Sequence, residues 1–265
     1  REVERLLKRP DLFYLAEMMN YPGVVHNDAE VMKKIQAAKA NNKPIDGHAP
    51  GLVGSDLDTY ANAGITTDHE AFTLEEARQK IKKGMKIQIR EGSAAKNYNA
   101  LAPIINEFPE EVMFCMDDCH PDDLLKGHIN KLVKRALKDG YDLFDVLRAA
   151  CLNAVQHYNL PVGLLRKGDP ADFIVVNDLN DFAIEQVYVN GELVFDKGGV
   201  KWSRPKTEAV NAFVSYSLSV NDFVIPAKGT KVKVIQVEDG ELITSTKIMT
   251  PKQAKHNFIA DTEQD

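Results

Sequence analysis

Four carboxylates and an imidazole follow a short apolar run near the middle of the sequence. The run is 112–116, and the ionisable residues after it are Asp117, Asp118, His120, Asp122 and Asp123. Barrels and doubly wound sheets show this pattern where a buried strand opens onto a site at its carboxyl end. An acidic surface turn before a helix is the alternative, and this segment by itself does not decide between the two.

Three other predicted strands end in residues of the same chemical types. These residues are Glu17, His48 and His69. A single glutamate or histidine at a strand end is more often solvated or structural, but residues in phase with a strand repeat favour a shared function. Carboxylate and imidazole groups bind divalent transition metals without thiolates. The pattern therefore predicts a metal site built from Glu17, His48, His69 and Asp117. Other histidines lack this phasing, among them His128 and His157, which are expected on helix surfaces.

Five strand-loop-helix units follow one another in the first part of the chain. The strands are predicted at 12–16, 43–48, 65–69, 85–92 and 112–117. Parallel strands need crossover connections that cover the sheet, so this order predicts a parallel α/β architecture. In a barrel the carboxyl ends of all strands lie on one face, where the four ligand-type side chains could meet.

Polar residues at helix starts set the predicted helix boundaries. Asp28 is the predicted N-cap of a helix whose apolar face consists of Val31, Ile35 and Ala38. Ser55 is predicted to cap the next helix, and Thr73 with Glu76 is predicted to form a capping box for the third. A longer helix is predicted at 143–158, with an apolar face through Leu147, Ala150 and Ala154.

The pattern changes after residue 159. Short strands are predicted at 171–176, 185–189, 192–195, 230–237 and 241–247. Asn190-Gly191 joins two of them and is a strong hairpin signal. The sequence therefore predicts a barrel domain at 1–159 and a small, mostly antiparallel β domain at 160–265.

Composition and charge narrow the function classes. The 265 residues carry a net charge of −6 at pH 7 without a block of Lys and Arg, so nucleic acid is not an expected partner. No apolar run approaches the length needed to span a membrane. Three cysteines without zinc-ribbon spacing fit reduced thiols, and no signal peptide is recognised, which together predict a cytoplasmic protein.

Five motifs carry the ligand-type and strand-end residues. They are Ala-Glu17-Met-Met-Asn-Tyr-Pro-Gly-Val, Asp-Gly-His48-Ala-Pro-Gly, Asp-His69-Glu, Arg90-Glu-Gly-Ser-Ala-Ala-Lys-Asn and Asp117-Asp-Cys-His-Pro-Asp-Asp-Leu. Together they resemble the adenine deaminases, a family of the amidohydrolase superfamily. The segment 163–172 resembles the return of an amidohydrolase chain into its small β domain. The resemblance implies a TIM-type (β/α)₈ barrel, a two-metal centre, and hydrolysis of adenine to hypoxanthine and ammonia in purine salvage.

The resemblance also implies roles for individual residues. Glu17 bridges two divalent ions, His48 and His69 bind the second ion, and Asp117 is the aspartate at the end of strand eight. Manganese or iron is expected, with zinc as the alternative. Asp117 is expected to move a proton from the attacking water to the leaving amine, with Asp118 and His69 as further catalytic candidates. Candidates to bind the purine are Arg90, Glu91, Ser93 and His120, with a strand-end salt bridge as the alternative after strand seven.

The chain departs from the family pattern at several positions. Met116 and Cys119 stand where threonine and arginine are expected, and the His-x-His pair of strand one does not occur. Five units precede the β domain where a barrel has eight, so they are predicted to be strands four to eight of an incomplete enzyme. The enzyme is expected to be a homo-oligomer.

Two other functions stay open from the sequence. One is a different amidohydrolase that acts on a cyclic amide or another aminopurine. The other is a non-catalytic barrel remnant used in assembly. Product analysis separates the first from an adenine deaminase, and metal content separates the second.

Overall fold

Parallel strands alternate with helices as far as Tyr158. The computed structural model describes residues 2–197, 199–203, 205–208, 210–238 and 244–260. The parallel strands are β1 Leu15–Met18, β2 Ile45–Gly47, β3 Thr67–Asp68, β4 Lys86–Arg90 and β5 Val112–Cys115. The helices are α1 Glu2–Leu7, α2 Tyr21–Val25, α3 Ala29–Ala40, α4 Gly54–Asn62, α5 Leu74–Lys82, α6 Tyr98–Leu101, α7 Ile104–Glu107, α8 Pro121–Leu124, α9 Ile129–Lys138, α10 Leu143–Leu147 and α11 Asn153–Tyr158.

The five strands lie beside one another in chain order. β1 pairs with β2, and β3, β4 and β5 form a parallel three-stranded sheet. Between these groups the Thr66 amide donates to the Ile45 carbonyl at 2.8 Å, and the Gly47 amide donates to Thr67 Oγ1 at 3.2 Å. These bonds hold β2 next to β3, so the carboxyl ends of the strands lie on the same side.

The predicted start and inner face of α3 are confirmed. The Asp28 carboxylate accepts hydrogen bonds from the amides of Glu30 and Val31 at 3.0 and 2.9 Å. These bonds satisfy amides that have no partner within the helix. The buried residues of α3 are Val31, Ile35 and Ala38.

The other predicted helix features need correction. α4 begins at Gly54, and its N-cap Val53 makes no side-chain hydrogen bond, so the predicted cap at Ser55 is wrong. The predicted capping box is half formed, because the Thr73 hydroxyl accepts from the Glu76 amide but the Glu76 carboxylate accepts from the Phe72 and Gly51 amides. The Glu76 carboxylate is thus directed toward a neighbouring loop.

The long helix predicted at 143–158 contains a π-helical turn at Arg148–Leu152 between α10 and α11. Its buried residues are Val146, Ala149 and Asn153, each one position before the predicted Leu147, Ala150 and Ala154. Asn153 can be buried because its side-chain amide donates hydrogen bonds to the carbonyls of Pro109 and Val112. A hydropathy pattern cannot select such a polar residue for the inner face.

An antiparallel sheet follows within the same compact unit, Arg1–Trp202. Its strands are β6 Phe173–Val176, β7 Ile184–Val189, β8 Glu192–Asp196 and β9 Gly199–Val200, in that order. Asn190 and Gly191 both adopt positive φ, 52° and 81°, which is the backbone of a type I′ hairpin turn. Phe182, before β7, is buried in the same apolar cluster as Ile89 of β4. The domain boundary between residues 159 and 160 stays a prediction.

The second compact unit, Ser203–Asp265, consists of short strands. They are β10 Ile225–Pro226, β11 Val232–Gln236, β12 Ser245–Met249, β13 Gln253–Ala254 and β14 Asn257–Phe258, with a 3₁₀ helix at Val220–Phe223. β11 and β12 pair antiparallel and overlap the strands predicted at 230–237 and 241–247, and residues 239–243 lie outside the described residues. No helix in the described part of the chain is long and apolar enough to cross a membrane.

Candidate metal centre

A polar layer lies beside the middle of the parallel strands. Asp46 of β2 accepts from Thr67 Oγ1 of β3 at 2.9 Å and from the Tyr158 hydroxyl at 2.8 Å. The Gln88 amide of β4 donates to the same hydroxyl at 2.8 Å. Burial raises the pKa of Asp46, against the opposing effect of the hydrogen bonds from Tyr158 and Thr67. The layer links three strands to α11.

A second layer follows two residues further along each strand. Side chains two positions apart in a strand point to the same side, so His48 lies above Asp46 and His69 above Thr67. His48 Nδ1 and His69 Nε2 are 3.2 Å apart, and each is 3.1 Å from Glu17 Oε2 of β1. The ends of three neighbouring strands therefore bring two imidazoles and a carboxylate to one point.

The cluster fits a divalent metal ion. Ligand atoms bound at about 2.0–2.2 Å from one ion lie roughly 3 Å apart, and the three separations here are 3.1–3.2 Å. The donors are nitrogen and carboxylate oxygen, which Mn, Fe and Zn accept. Glu17, His48 and His69 are the residues that would hold the ion.

A buried ion-pair chain extends from this cluster to β5. Glu70 Oε1 lies 3.6 Å from His69 Nε2 and 2.5 Å from Arg90 Nη1, and the same Arg90 nitrogen contacts Asp117 Oδ2. Arg90 is 1% exposed, and its Nε donates to the Ala95 carbonyl at 2.8 Å. Glu70 Oε1 is buried and makes no hydrogen bond within the described part of the chain, and it also lies 3.5 Å from His48 Nδ1.

Asp117 has an unusual backbone for its position. Its φ is 53°, in the left-handed region that few residues other than glycine adopt. Such conformations persist where the surrounding structure holds them, often at functional sites. Asp117, His69 and Glu70 each offer a ligand atom within 4.8 Å of the others, so the structure brings Asp117 beside the first cluster. Its metal and catalytic roles stay predictions.

Arg90 and Glu91 form ion pairs at the end of β4. Arg90 makes the strand-end salt bridge that the sequence left open as an alternative to purine binding. The Glu91 carboxylate accepts from the Tyr98 amide at 3.2 Å and from Arg135 Nη1 of α9 at 2.9 Å. Contacts with a purine stay predictions for both residues.

The other predicted site residues lie in the loops after β4 and β5. Ser93 Oγ donates to Asp123 at 2.7 Å and accepts from the His120 amide at 2.9 Å. Hydrogen bonds from Lys126 and Ser93 lower the pKa of Asp123 to about 2. The Asp118 side chain is exposed, and its carbonyl accepts from the Ser93 amide. Within the described contacts, these residues form a loop network separate from Glu17, His48 and His69.

Sequence reasoning missed the buried charges next to the histidines. Glu70, Asp68 and Lys80 are 2%, 0% and 0% exposed. The only signal was the run Asp68-His69-Glu70, in which three ionisable residues end one short strand. Their burial could not be inferred, because it depends on partners from other elements.

A match to a known sequence family, together with the fold, identifies the class of protein. The chain belongs to the amidohydrolase family, whose model matches residues 1–194. The family is generally metal-dependent, in agreement with the ligand-type cluster described above. A crystal structure of β-aspartyl dipeptidase from Fervidobacterium islandicum AW-1 has a similar fold, with a TM-score of 0.53 and 18% sequence identity over 69% of this chain and 54% of that one.

More similar sequences are known among curated proteins. An adenine deaminase of Methanosarcina acetivorans is 49% identical over an alignment of 274 positions, and this alignment covers 99% of this chain and 50% of that protein. An adenine deaminase of Salinibacter ruber is 50% identical over 263 residues, covering 99% of this chain and 48% of that protein. The chain spans about half the length of the curated relatives it matches.

Proposed function

We propose that the protein containing this chain is a metal-dependent adenine deaminase, which hydrolyses adenine to hypoxanthine and ammonia. The observation that carries the proposal is the convergence of Glu17, His48 and His69 at the ends of neighbouring parallel strands. Identity of 49% and 50% to adenine deaminases over 99% of the chain supports adenine as the substrate.

The proposal includes an assignment of the strands. β1 to β5 would be strands four to eight of a (β/α)₈ barrel, and the domains would be 1–159 and 160–265. Five parallel strands in chain order support this numbering, as does the match to about half the length of the relatives.

The site would hold two divalent ions, with manganese or iron preferred over zinc. Glu17 would contact both ions, His48 and His69 would bind one of them, and Asp117 would be a further ligand. When bound, such an ion would act as a Lewis acid and would lower the pKa of a water molecule bound to it toward ~7.

Asp117 is proposed to move the proton in this reaction. Arg90 contacts Asp117 Oδ2, while Oδ1 has no hydrogen bond within the described part of the chain. Oδ1 can take the proton of the attacking water as the bond from oxygen to C6 of adenine forms. When the bond from C6 to the amine nitrogen breaks, the same oxygen returns the proton and ammonia leaves. General acid and base catalysis of this kind contributes roughly 10²–10⁴-fold.

The test uses the protein purified at the full length of its coding sequence. We would incubate it separately with adenine, 2-aminopurine and the cyclic amide hydantoin, and measure ammonia release, products and bound metal. We expect the protein to release ammonia from adenine with hypoxanthine as the product. This activity should be lost on chelation of the metal and restored by Mn²⁺. Reaction with another substrate alone would replace adenine deamination with a different amidohydrolase activity. A protein that holds no metal and releases no ammonia would be a non-catalytic remnant.

A further inference from the structure

Lys80 is a buried lysine on α5, with 0% of its surface exposed. An ammonium group has three hydrogens to donate, and all three have acceptors here. Lys80 Nζ donates to Asp68 Oδ2 at 2.8 Å, to Glu76 Oε1 at 2.7 Å and to the Ala49 carbonyl at 2.7 Å. The first acceptor lies on β3 and the third in the loop after β2, so one side chain joins the end of β3 and the loop after β2 to a helix.

The carboxylates of Asp68 and Glu76 accept hydrogen bonds from main-chain amides in the loops after β2 and β3. Asp68 accepts from the Ala49 amide at 2.8 Å and from the Glu70 amide at 3.0 Å. Glu76 accepts from the Gly51 amide at 2.9 Å and from the Phe72 amide at 3.1 Å. Together with the Ala49 carbonyl, five main-chain groups are fixed by three side chains.

These main-chain groups are next to the proposed metal ligands. Ala49 follows His48 directly, and Glu70 follows His69 directly. Asp68, Glu76 and Lys80 make no hydrogen bond to Glu17 or to either imidazole in the described part of the structure, so they act only through the backbone. We propose that Asp68, Glu76 and Lys80 form a buried clamp that positions His48 and His69 for metal binding. This inference rests on the metal centre of the proposed function.

A charged clamp suits this place for a physical reason. Buried amides need acceptors, and each carboxylate can accept several hydrogen bonds at once. Lys80 supplies the positive charge without which two buried carboxylates would be strongly unfavourable. A loop fixed in this way presents its ligand in the bound orientation, which reduces the ordering cost of binding. Partners that orient metal ligands typically contribute about 10- to 100-fold to metal affinity.

The experiment compares three variants of the full-length protein. Lys80→Met removes the charge that joins the loops, and Glu76→Gln weakens the clamp while keeping the size of the side chain. Arg78→Met is the matched control, because Arg78 lies on the same helix and pairs with Glu107 at a partly exposed position away from both loops. Mn²⁺ affinity is measured by calorimetry at a temperature where each variant is folded. Amide hydrogen exchange is measured on the metal-free proteins.

We expect Lys80→Met to weaken Mn²⁺ binding about 10- to 100-fold and to speed amide exchange at 49–51 and 70–72, with Arg78→Met unchanged. If Lys80→Met does not fold, the same measurements on Glu76→Gln decide. A folded clamp variant with parental Mn²⁺ affinity would overturn the proposal and leave these residues a purely structural role. If the parent itself binds no Mn²⁺, the metal centre is wrong, and the exchange rates alone decide whether the clamp exists: faster exchange in both loops supports it, and unchanged exchange rejects it.

Discussion

Asp117 combines a left-handed backbone with a carboxylate of which one oxygen is engaged. Its φ of 53° turns the chain directly after β5, and Arg90 contacts Oδ2. Both Asp117 and the neighbouring Asp118 are exposed, but Asp118 has no comparable cation contact among the described residues. At the scale of single residues, the contact with Arg90 thus distinguishes Asp117, which the sequence already favoured, from its neighbour Asp118.

We predict that Asp117→Asn lowers kcat by about 10²–10⁴-fold and changes KM much less. The reason is that proton transfer stabilises the transition state more than the bound substrate. Steady-state kinetics of the full-length protein with adenine test this, with the exposed Asp122→Asn as the control. Equal activity of variant and parent across the pH range would exclude the role and make Asp118 the next residue to test.

Arg90 is the only arginine or lysine in contact with Glu70 or Asp117 in the described part of the site. Replacing it leaves two carboxylates close together without a counter-charge, one of them buried. We predict that Arg90→Met lowers the free energy of unfolding by about 3–5 kcal/mol, the usual cost of breaking a buried ion pair. Urea unfolding measures this change.

The control for Arg90→Met is Arg78→Met, which breaks a partly exposed pair with Glu107. Such pairs contribute about 0–1 kcal/mol. An Arg90→Met protein as stable as the control variant would mean that Glu70 and Asp117 do not depend on the guanidinium.

At the scale of secondary-structure elements, the segments that follow β4 and β5 pack closely against each other. A Cβ atom on Gly92 would lie 2.1 Å from the Met116 carbonyl oxygen and 2.4 Å from that of Asp118. Both neighbours are backbone atoms on either side of Asp117, so neither can turn away as a side chain could. Glycine at this position therefore allows the loop after β4 to pack against the segment that carries Asp117.

We predict that Gly92→Ala lowers the free energy of unfolding by about 1–3 kcal/mol, the usual cost of forcing extra atoms into a packed site. It should also lower kcat, because the segment that carries Asp117 must shift. Urea unfolding and kinetics measure the two effects, and Lys96→Ala, at an exposed position of the same loop, is the control. Unchanged stability would show that the loop can relax without disturbing β5.

At the scale of the whole chain, α11 is tied to strands far away in sequence. His157 Nε2 lies 3.2 Å from Thr66 Oγ1, and the His157 ring contacts the Tyr158 ring edge-on. Burial lowers the pKa of His157 to about 4, and the charge of Lys86 adds to this effect while Glu111 opposes it. His157 is half-buried, so the predicted helix-surface position is met only in part, whereas His128 is exposed.

This pKa predicts how stability depends on pH. The folded state keeps His157 neutral down to about pH 4, whereas the unfolded chain binds a proton below about pH 6.5. Between these values the unfolded state binds more protons, so the free energy of unfolding falls as the pH falls. We predict that His157→Gln reduces the slope of this fall between pH 6.5 and 4. Urea unfolding of variant and parent at several pH values measures this slope. A parental slope in His157→Gln would show that folding does not lower the pKa of His157.

The amino-acid sequence by itself determined the features that depend on nearby residues. The N-cap at Asp28, the inner face of α3 and the hairpin turn at Asn190-Gly191 were predicted and are present. Hydrogen bonds over two or three residues and intrinsic φ preferences set these features. The order of the strands could also be predicted from the sequence. The family motifs around Glu17 and His48 could be recognised because each motif is a short continuous segment.

Only the tertiary structure decided which charged side chains are buried. Glu76 was predicted to be a capping residue, and Lys80 was not singled out, yet both hold the loops that carry His48 and His69. The cost of burying a charge depends on partners that other elements bring to it. For Lys80, these partners include Asp68, which is 12 residues away in sequence, and Ala49, which is 31 residues away. No local pattern contains that information, so the folded arrangement alone shows that these residues are paired.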